Sequence, residues 1–258
     1  MKSFSTLLAA TAAALTLNVG VAHAEIKLGL DNAPYPPFAE SDAAGNQSGF
    51  EIELGEAICA AMNETCVWTP TAWDGIIPAL LEGKIDAIFA SMSITEERMK
   101  VIAFSDKYYN TPAVLVAEKS SSISDDPASL AGKIVGVQVS TTHANYADAY
   151  FADTADSIKT YQAFDEHNAD LAAGRLDAVV GDSIAFGDFL ASDAGSAYEV
   201  KAELNDDAIF GPGVGVGMRQ DDAELKAKFN AAIAQVRADG TYAKIAAKYF
   251  DFDIFGAE

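Results

Sequence analysis

Residues 83–104 read GKIDAIFASMSITEERMKVIAF. Alternating and continuous apolar residues predict a short buried strand from Ile85 to Phe89. A polar loop follows (Ser91, Met92, Ser93), and Thr95 has the chemistry of a helix N-cap. Arg98 then falls in the first helical turn. A strand end, two hydroxyls, helix N–H groups and a guanidinium form a cradle for a small anion such as a carboxylate.

Working outward, residues 81–88 (LEGKIDAI) are echoed by residues 172–179 (AAGRLDAV) at a constant offset of 91. KLGL at 27–30 is similarly echoed by IVGV at 134–137. Taken alone, G-[KR]-hydrophobic-D-A is a common junction between a helix and a strand. Two echoes together predict two lobes of one plan. At the same offset Ser91 maps onto Asp182, so both lie just past the end of an equivalent strand. Open α/β sheets take their ligands at that edge. If the lobes face each other, Ser91, Ser93 and Arg98 oppose Asp182. The matching guest is a zwitterion, with its carboxylate on Arg98 and its ammonium on Asp182.

The rest of the chain fits an α/β alternation. Strands are expected at Ile26 to Leu30, Val67 to Thr71, Lys133 to Val139, Ile158 to Tyr161 and Leu176 to Val180. Helices are expected at Glu51 to Met62, Asp74 to Glu82, Ala144 to Phe151, Asp165 to Ala173, Ser183 to Leu190, Asp222 to Asp239 and Thr241 to Tyr249. Tyr108 to Glu118 and the Gly-rich Ile209 to Met218 read as extended. Three prolines bar regular structure between Asp31 and Phe38, which puts Asp31 and Tyr35 on a loop. Glu51 reads as a helix-start acid, and Tyr108 and Tyr109 as packing near a hinge.

Residues 1–24 read as a cleavable leader: Lys2, an apolar run from Leu7 to Val21, and Ala22-His23-Ala24 before Glu25. An exported chain is expected. The formal net charge is −21, from 38 acids against 17 bases. Such a chain repels nucleic acid and anionic lipid. Cys59 and Cys66 are expected to pair in an oxidising compartment. In one continuous helix their Cα atoms would lie ~10 Å apart, too far to bridge. The helix must therefore end between them, near Asn63. Two thiols without a nearby histidine do not make a metal site. His143 and His167 have no cysteine partner and no nucleophile setting, and no phosphate loop is present. No cofactor, no metal and no catalysis are expected.

Several stretches carry a family likeness: GFEIEL (49–54), the Cys59/Cys66 spacing, AWDGIIPALLEGKIDAIFASMSITEER (72–98), IAFSDKYY (102–109), GVQVSTT (136–142), AGRLDAVVGD (173–182) and RADGTYAKIAAKYFDFDIFG (237–256). In these the chain resembles the periplasmic amino-acid-binding proteins of ABC importers, especially the lysine/arginine/ornithine and histidine binders. The resemblance implies a two-lobed, type II periplasmic binding fold with two strand crossovers as a hinge. Lobe 1 would comprise 25–110 and 213–258, and lobe 2 would comprise 111–212. It implies capture of one free amino acid, arginine before lysine or ornithine and then histidine, and transient delivery by a monomer to a membrane permease. By position, Arg98 resembles the family arginine on the α-carboxylate, helped by Ser91, Ser93 and Thr142. Asp182 resembles the acid on the α-ammonium, and Tyr35 and Trp73 the aromatic pair on the side chain. Asp31 resembles the acid at a basic side-chain tip, although a turn former is the alternative. Ala90 stands where a serine is common. The 72–78 stretch also resembles opine binders, and a few exported relatives of this fold are dehydratases.

Overall fold

The two G-[KR]-x-D-A segments turn out to be one local device used twice. The computed structural model describes residues 25–256; the expected leader lies outside them. In both copies the glycine, Gly83 or Gly174, has a left-handed backbone (φ 73° and 68°) and ends a helix. The next N–H groups close back on that helix, Lys84 onto Ala79 and Arg175 onto Asp170, as glycine C-caps do. The aspartate then clips the following strand to its neighbour. Asp86 N–H donates to Lys27 O, and its carboxylate accepts from Lys27 N–H. Asp177 makes the same reciprocal pair with Ile134.

Along the chain the elements are β1 (Ile26–Asp31), β2 (Glu40–Ser41), β3 (Gln47–Ser48), α1 (Phe50–Met62), β4 (Cys66–Thr71), α2 (Ile76–Leu81), β5 (Ala87–Ile88), α3 (Glu96–Met99), β6 (Ala103–Tyr109) and β7 (Ala113–Glu118). There follow β8 (Ile134–Gln138), α4 (Thr142–Tyr150), β9 (Ser157–Tyr161), α5 (Phe164–Ala172), β10 (Ala178–Asp182), α6 (Gly187–Ala191), β11 (Tyr198–Leu204), α7 (Asp207–Phe210), β12 (Val214–Met218), α8 (Ala223–Ala238) and α9 (Thr241–Ala246). One five-stranded sheet runs β4-β1-β5-β12-β6 and the other β9-β8-β10-β7-β11. In each, three strands are parallel, and the fourth lies antiparallel to the third. The chain passes between sheets twice, from β6 to β7 and from β11 through α7 to β12.

One apolar cluster runs through both sheets, and a second belongs to the β7, β8 and β10 sheet alone. Leu28, Phe89 and Val216 meet Leu54, Ile58 and Phe229 of α1 and α8. Leu115, Val135 and Val180 meet Ala147 and Phe151. Burying each large side chain contributes about 1.5–3 kcal/mol.

Local differences from the sequence reading have physical causes. The strand expected over Ile85 to Phe89 is a regular ladder only at Ala87–Ile88, although Phe89 N–H still donates to Gly29 O. Residues 183–186 form turns instead of the start of a helix, because Ser183 N–H continues the β10–β7 ladder onto Pro112 O. Ile209 and Phe210 are helical, since the Asp206 carboxylate caps Ala208 and Ile209.

Helix α1 ends at Asn63, in the left-handed conformation (φ 56°), and Cys59 and Cys66 pair with Cα atoms 6.1 Å apart. The bridge staples the end of α1 to the start of β4. In the loop-closure view, a loop this short contributes about 2–3 kcal/mol. The Cys59→Ser/Cys66→Ser variant is expected to melt roughly 5–10 °C lower, measured by calorimetry.

Candidate functional site

The ends of β1, β5 and β10 converge on a cavity between the two sheets. Its lining includes Asp31, Tyr35, Trp73, Ser91, Ser93 and Arg98 from the first half of the molecule. Thr142 and Asp182 line it from the second half. All eight candidate residues therefore share one space, brought there from positions 31 to 182.

The loop after β5 is pinned before it reaches the cavity. Ile94 N–H donates to Gly213 O, and Gly215 N–H donates to Met92 O, so β12 holds the loop from below. Thr95 caps α3 by accepting from Arg98 N–H. That first-turn N–H group is thus already occupied. Arg98 Nη1 donates to Ser93 O at 2.9 Å, and Nη2 donates to Ser140 O at 3.2 Å. Two carbonyls, one from each half, fix the plane of the fork and leave further N–H donors for a ligand. The guanidinium carbon lies 5.6 Å from the centre of the Trp73 ring. Burial lowers the pKa of Arg98 to about 10, so it stays protonated at neutral pH.

Ser91 differs from the expected picture. Its backbone is left-handed (φ 53°). Its N–H and its hydroxyl both donate to the Glu51 carboxylate, at 2.8 and 2.9 Å. The hydroxyl proton is thereby used within the protein. Glu51 also accepts from Tyr108 OH. It is therefore not a solvated helix-start acid but a buried brace beneath the loop, 1% exposed. Burial raises its pKa to about 7, against the pull of its three donors.

Asp182 ends β10 and is buried. One oxygen accepts from Tyr35 OH, which crosses from the other half. The other lies 3.3 Å from His143 Nε2. Tyr35 is stacked on Phe38 and meets Phe164 edge-on, with ring centres 5.1 Å apart. It acts here as an aromatic wall and as a hydroxyl donor. Burial and the adjacent Asp182 hold its phenol well above the usual range.

Asp31 combines the two readings open to it. One carboxylate oxygen accepts from Ala33 N–H, which forms the turn, and the other accepts from Gln138 Nε2 at 3.2 Å. The carboxylate still lines the cavity, and burial raises its pKa. Thr142 opens α4, while Thr141 caps it by accepting from Ala144 N–H.

Sequence reasoning missed Glu51, Gln138, Thr141, His143 and Phe164 as cavity residues. Only Thr141 carried a local signal, as a hydroxyl just before a helix. The site as a whole presents one guanidinium and three acids, Asp31, Glu51 and Asp182, with Trp73, Tyr35 and Phe164 as apolar walls. Among the described residues no cluster of His, Cys, Asp or Glu could hold a metal.

The sequence pattern of the bacterial extracellular solute-binding proteins, family 3, matches residues 26–252. An L-arginine-binding protein of Pseudomonas aeruginosa is 43% identical over the whole of both chains. The lysine/arginine/ornithine-binding periplasmic protein of Escherichia coli K12 is 43% identical over 90% of this chain and 89% of its own. A solved ancestral arginine-binding protein bound to arginine superposes with a TM-score of 0.80 and 34% identity, covering 88% of this chain and 98% of that one.

Proposed function

The chain belongs to the bacterial extracellular solute-binding proteins, family 3, and from that membership we propose that it captures a free basic L-amino acid and hands it to the permease of an ABC importer. Arginine ranks first, then lysine or ornithine, then histidine. The observation that carries this reading is the charge layout of the cavity. Arg98 faces a carboxylate and Asp182 an ammonium, while Asp31 supplies a second acid for a second cation. A neutral amino acid would leave the half-buried Asp31 without an opposite charge, which is costly. The flat guanidinium of arginine also suits Trp73 and Tyr35, because aromatic faces attract planar cations.

Capture works by hinge closure. Asn110 to Pro112 and Gly211 to Gly213 are the two crossings. Gly211 has φ +72°, and a Cβ there would lie 1.8 Å from Ile94 O, so that crossing needs glycine. Ligand bound to Arg98 and Asp182 at once favours the closed form, because only that form offers both contacts. The pairs Arg98–Ser140 and Asp31–Gln138 already join the halves directly. The protein acts as an exported periplasmic monomer. Among the described residues no helix is long and apolar enough to cross a membrane.

A thermal-shift screen of the twenty amino acids plus ornithine and octopine tests the ligand class. Arginine is expected to give the largest shift, and a larger shift with a neutral amino acid or the opine would replace this reading. Recovery of altered product instead of intact ligand would make the protein an enzyme. Asp31→Asn is expected to weaken arginine and lysine by roughly 10- to 100-fold while sparing neutral amino acids. Calorimetry on both ligand classes reads this directly, and an equal loss for all would reduce Asp31 to its turn.

A further inference from the structure

Both oxygens of Asp182 have protein partners, and one of those partners is an imidazole. His143, the second residue of α4, lines the cavity and is 9% exposed. Its Nε2 lies 3.3 Å from Asp182 Oδ1, while Tyr35 OH holds Oδ2. The ammonium of a bound amino acid must come to this same carboxylate. We propose that His143 competes with the ligand for Asp182 through a proton, so that binding expels a proton from the site and affinity falls as the medium acidifies.

This inference rests on the proposed function. A neutral imidazole can donate one hydrogen bond to Asp182 and leave the carboxylate its charge. An imidazolium cancels that charge and repels an ammonium docked beside it. Imidazole is the side chain whose ordinary titration falls between pH 5 and 8.

The surroundings of His143 define what else can contribute. Asp182 faces it from β10. Tyr35 and Asp31 belong to the opposite wall, Arg98 to α3 and Glu51 to α1. From α5, His167 interacts with it electrostatically, but burial lowers the pKa of His167 to about 3. His167 is therefore neutral across the range concerned. From α7, Phe210 presents a ring 5.9 Å away. Glu51, with its pKa near 7, titrates in the same window. Its protonation also removes negative charge from the site, so the test must separate the two groups.

With an ammonium on Asp182, the imidazolium is disfavoured. The free protein therefore holds the proton to higher pH than the loaded one, and the dissociation constant rises as pH falls between those two points. A separation of about one pH unit corresponds to about a tenfold change.

The experiment is calorimetric titration of the full mature chain with L-arginine from pH 5 to 8, for wild type and His143→Gln, each in two buffers of different ionisation enthalpy. Wild type is expected to bind about tenfold more weakly at pH 5 than at pH 8 and to release protons on binding. His143→Gln is expected to lose that release and to change less than about threefold, with only the Glu51 contribution left. In parallel, the His143 ring resonances are followed against pH with and without saturating arginine, and arginine is expected to move their transition to lower pH. An unchanged slope and proton release in His143→Gln, or an imidazole titration indifferent to arginine, would overturn the proposal. Absence of arginine binding at every pH would instead overturn the functional reading, and this proposal with it.

Discussion

Replacing Arg98 with alanine is expected to abolish measurable binding of every amino acid. The guanidinium is the one lysine or arginine cation of the described cavity lining, and the carboxylate it is proposed to bind is common to all candidates. Removing one partner of a buried, hydrogen-bonded charge pair costs about 3–5 kcal/mol. That is roughly a hundred- to several-thousand-fold in affinity. The loss has a second source. Arg98 donates to Ser93 O and Ser140 O, so it joins the loop after β5 to the loop before α4. Alanine removes that tie as well, and closure weakens with recognition. Arg98→Lys separates the two. It restores the charge but not the planar fork, so it should recover part of the affinity and not all of it. Calorimetry with L-arginine decides, and near-wild-type affinity in Arg98→Ala would remove this residue from the site.

Asp182→Asn is the second large effect, and its pattern matters more than its size. The side chain keeps its shape but loses the charge proposed to meet the ammonium. A loss of about 2–4 kcal/mol is expected, equal within error for arginine, lysine and neutral amino acids. The α-ammonium belongs to all of them, so the ranking among ligands should survive. Asp31→Asn is the contrasting case, since it should change the ranking. If Asp182→Asn weakened only basic ligands, the two acids would have exchanged roles, and the ligand would lie the other way round in the cleft.

The α/β class, the internal repeat and the staple at Cys59–Cys66 were legible because each rests on local chemistry. A glycine that ends a helix and an aspartate that clips the next strand leave the same five-residue trace wherever they occur. Two traces at one offset therefore announce two similar halves, and they place Ser91 and Asp182 at equivalent strand ends. Arg98 was legible for the same reason, as the first-turn cation of a strand–loop–helix unit. What could not be read is which side chain meets which across the cleft. Glu51 looks like any acid in a first helical turn, and nothing nearby in sequence marks it as the brace under Ser91, 40 residues away. Tyr35 reaches Asp182 over 147 residues. His143 gains its importance only from lying beside that same carboxylate.

The sequence by itself thus determined the secondary elements, their repetition and the residue types at the strand ends, because capping, periodicity and turn chemistry act over a few residues. The tertiary structure decided the division of labour within the site. Ser91 became a donor to Glu51, Tyr35 a bridge to Asp182, and His143 its neighbour. Those outcomes depend on how the two sheets approach each other, and on which buried polar groups must find partners when they do.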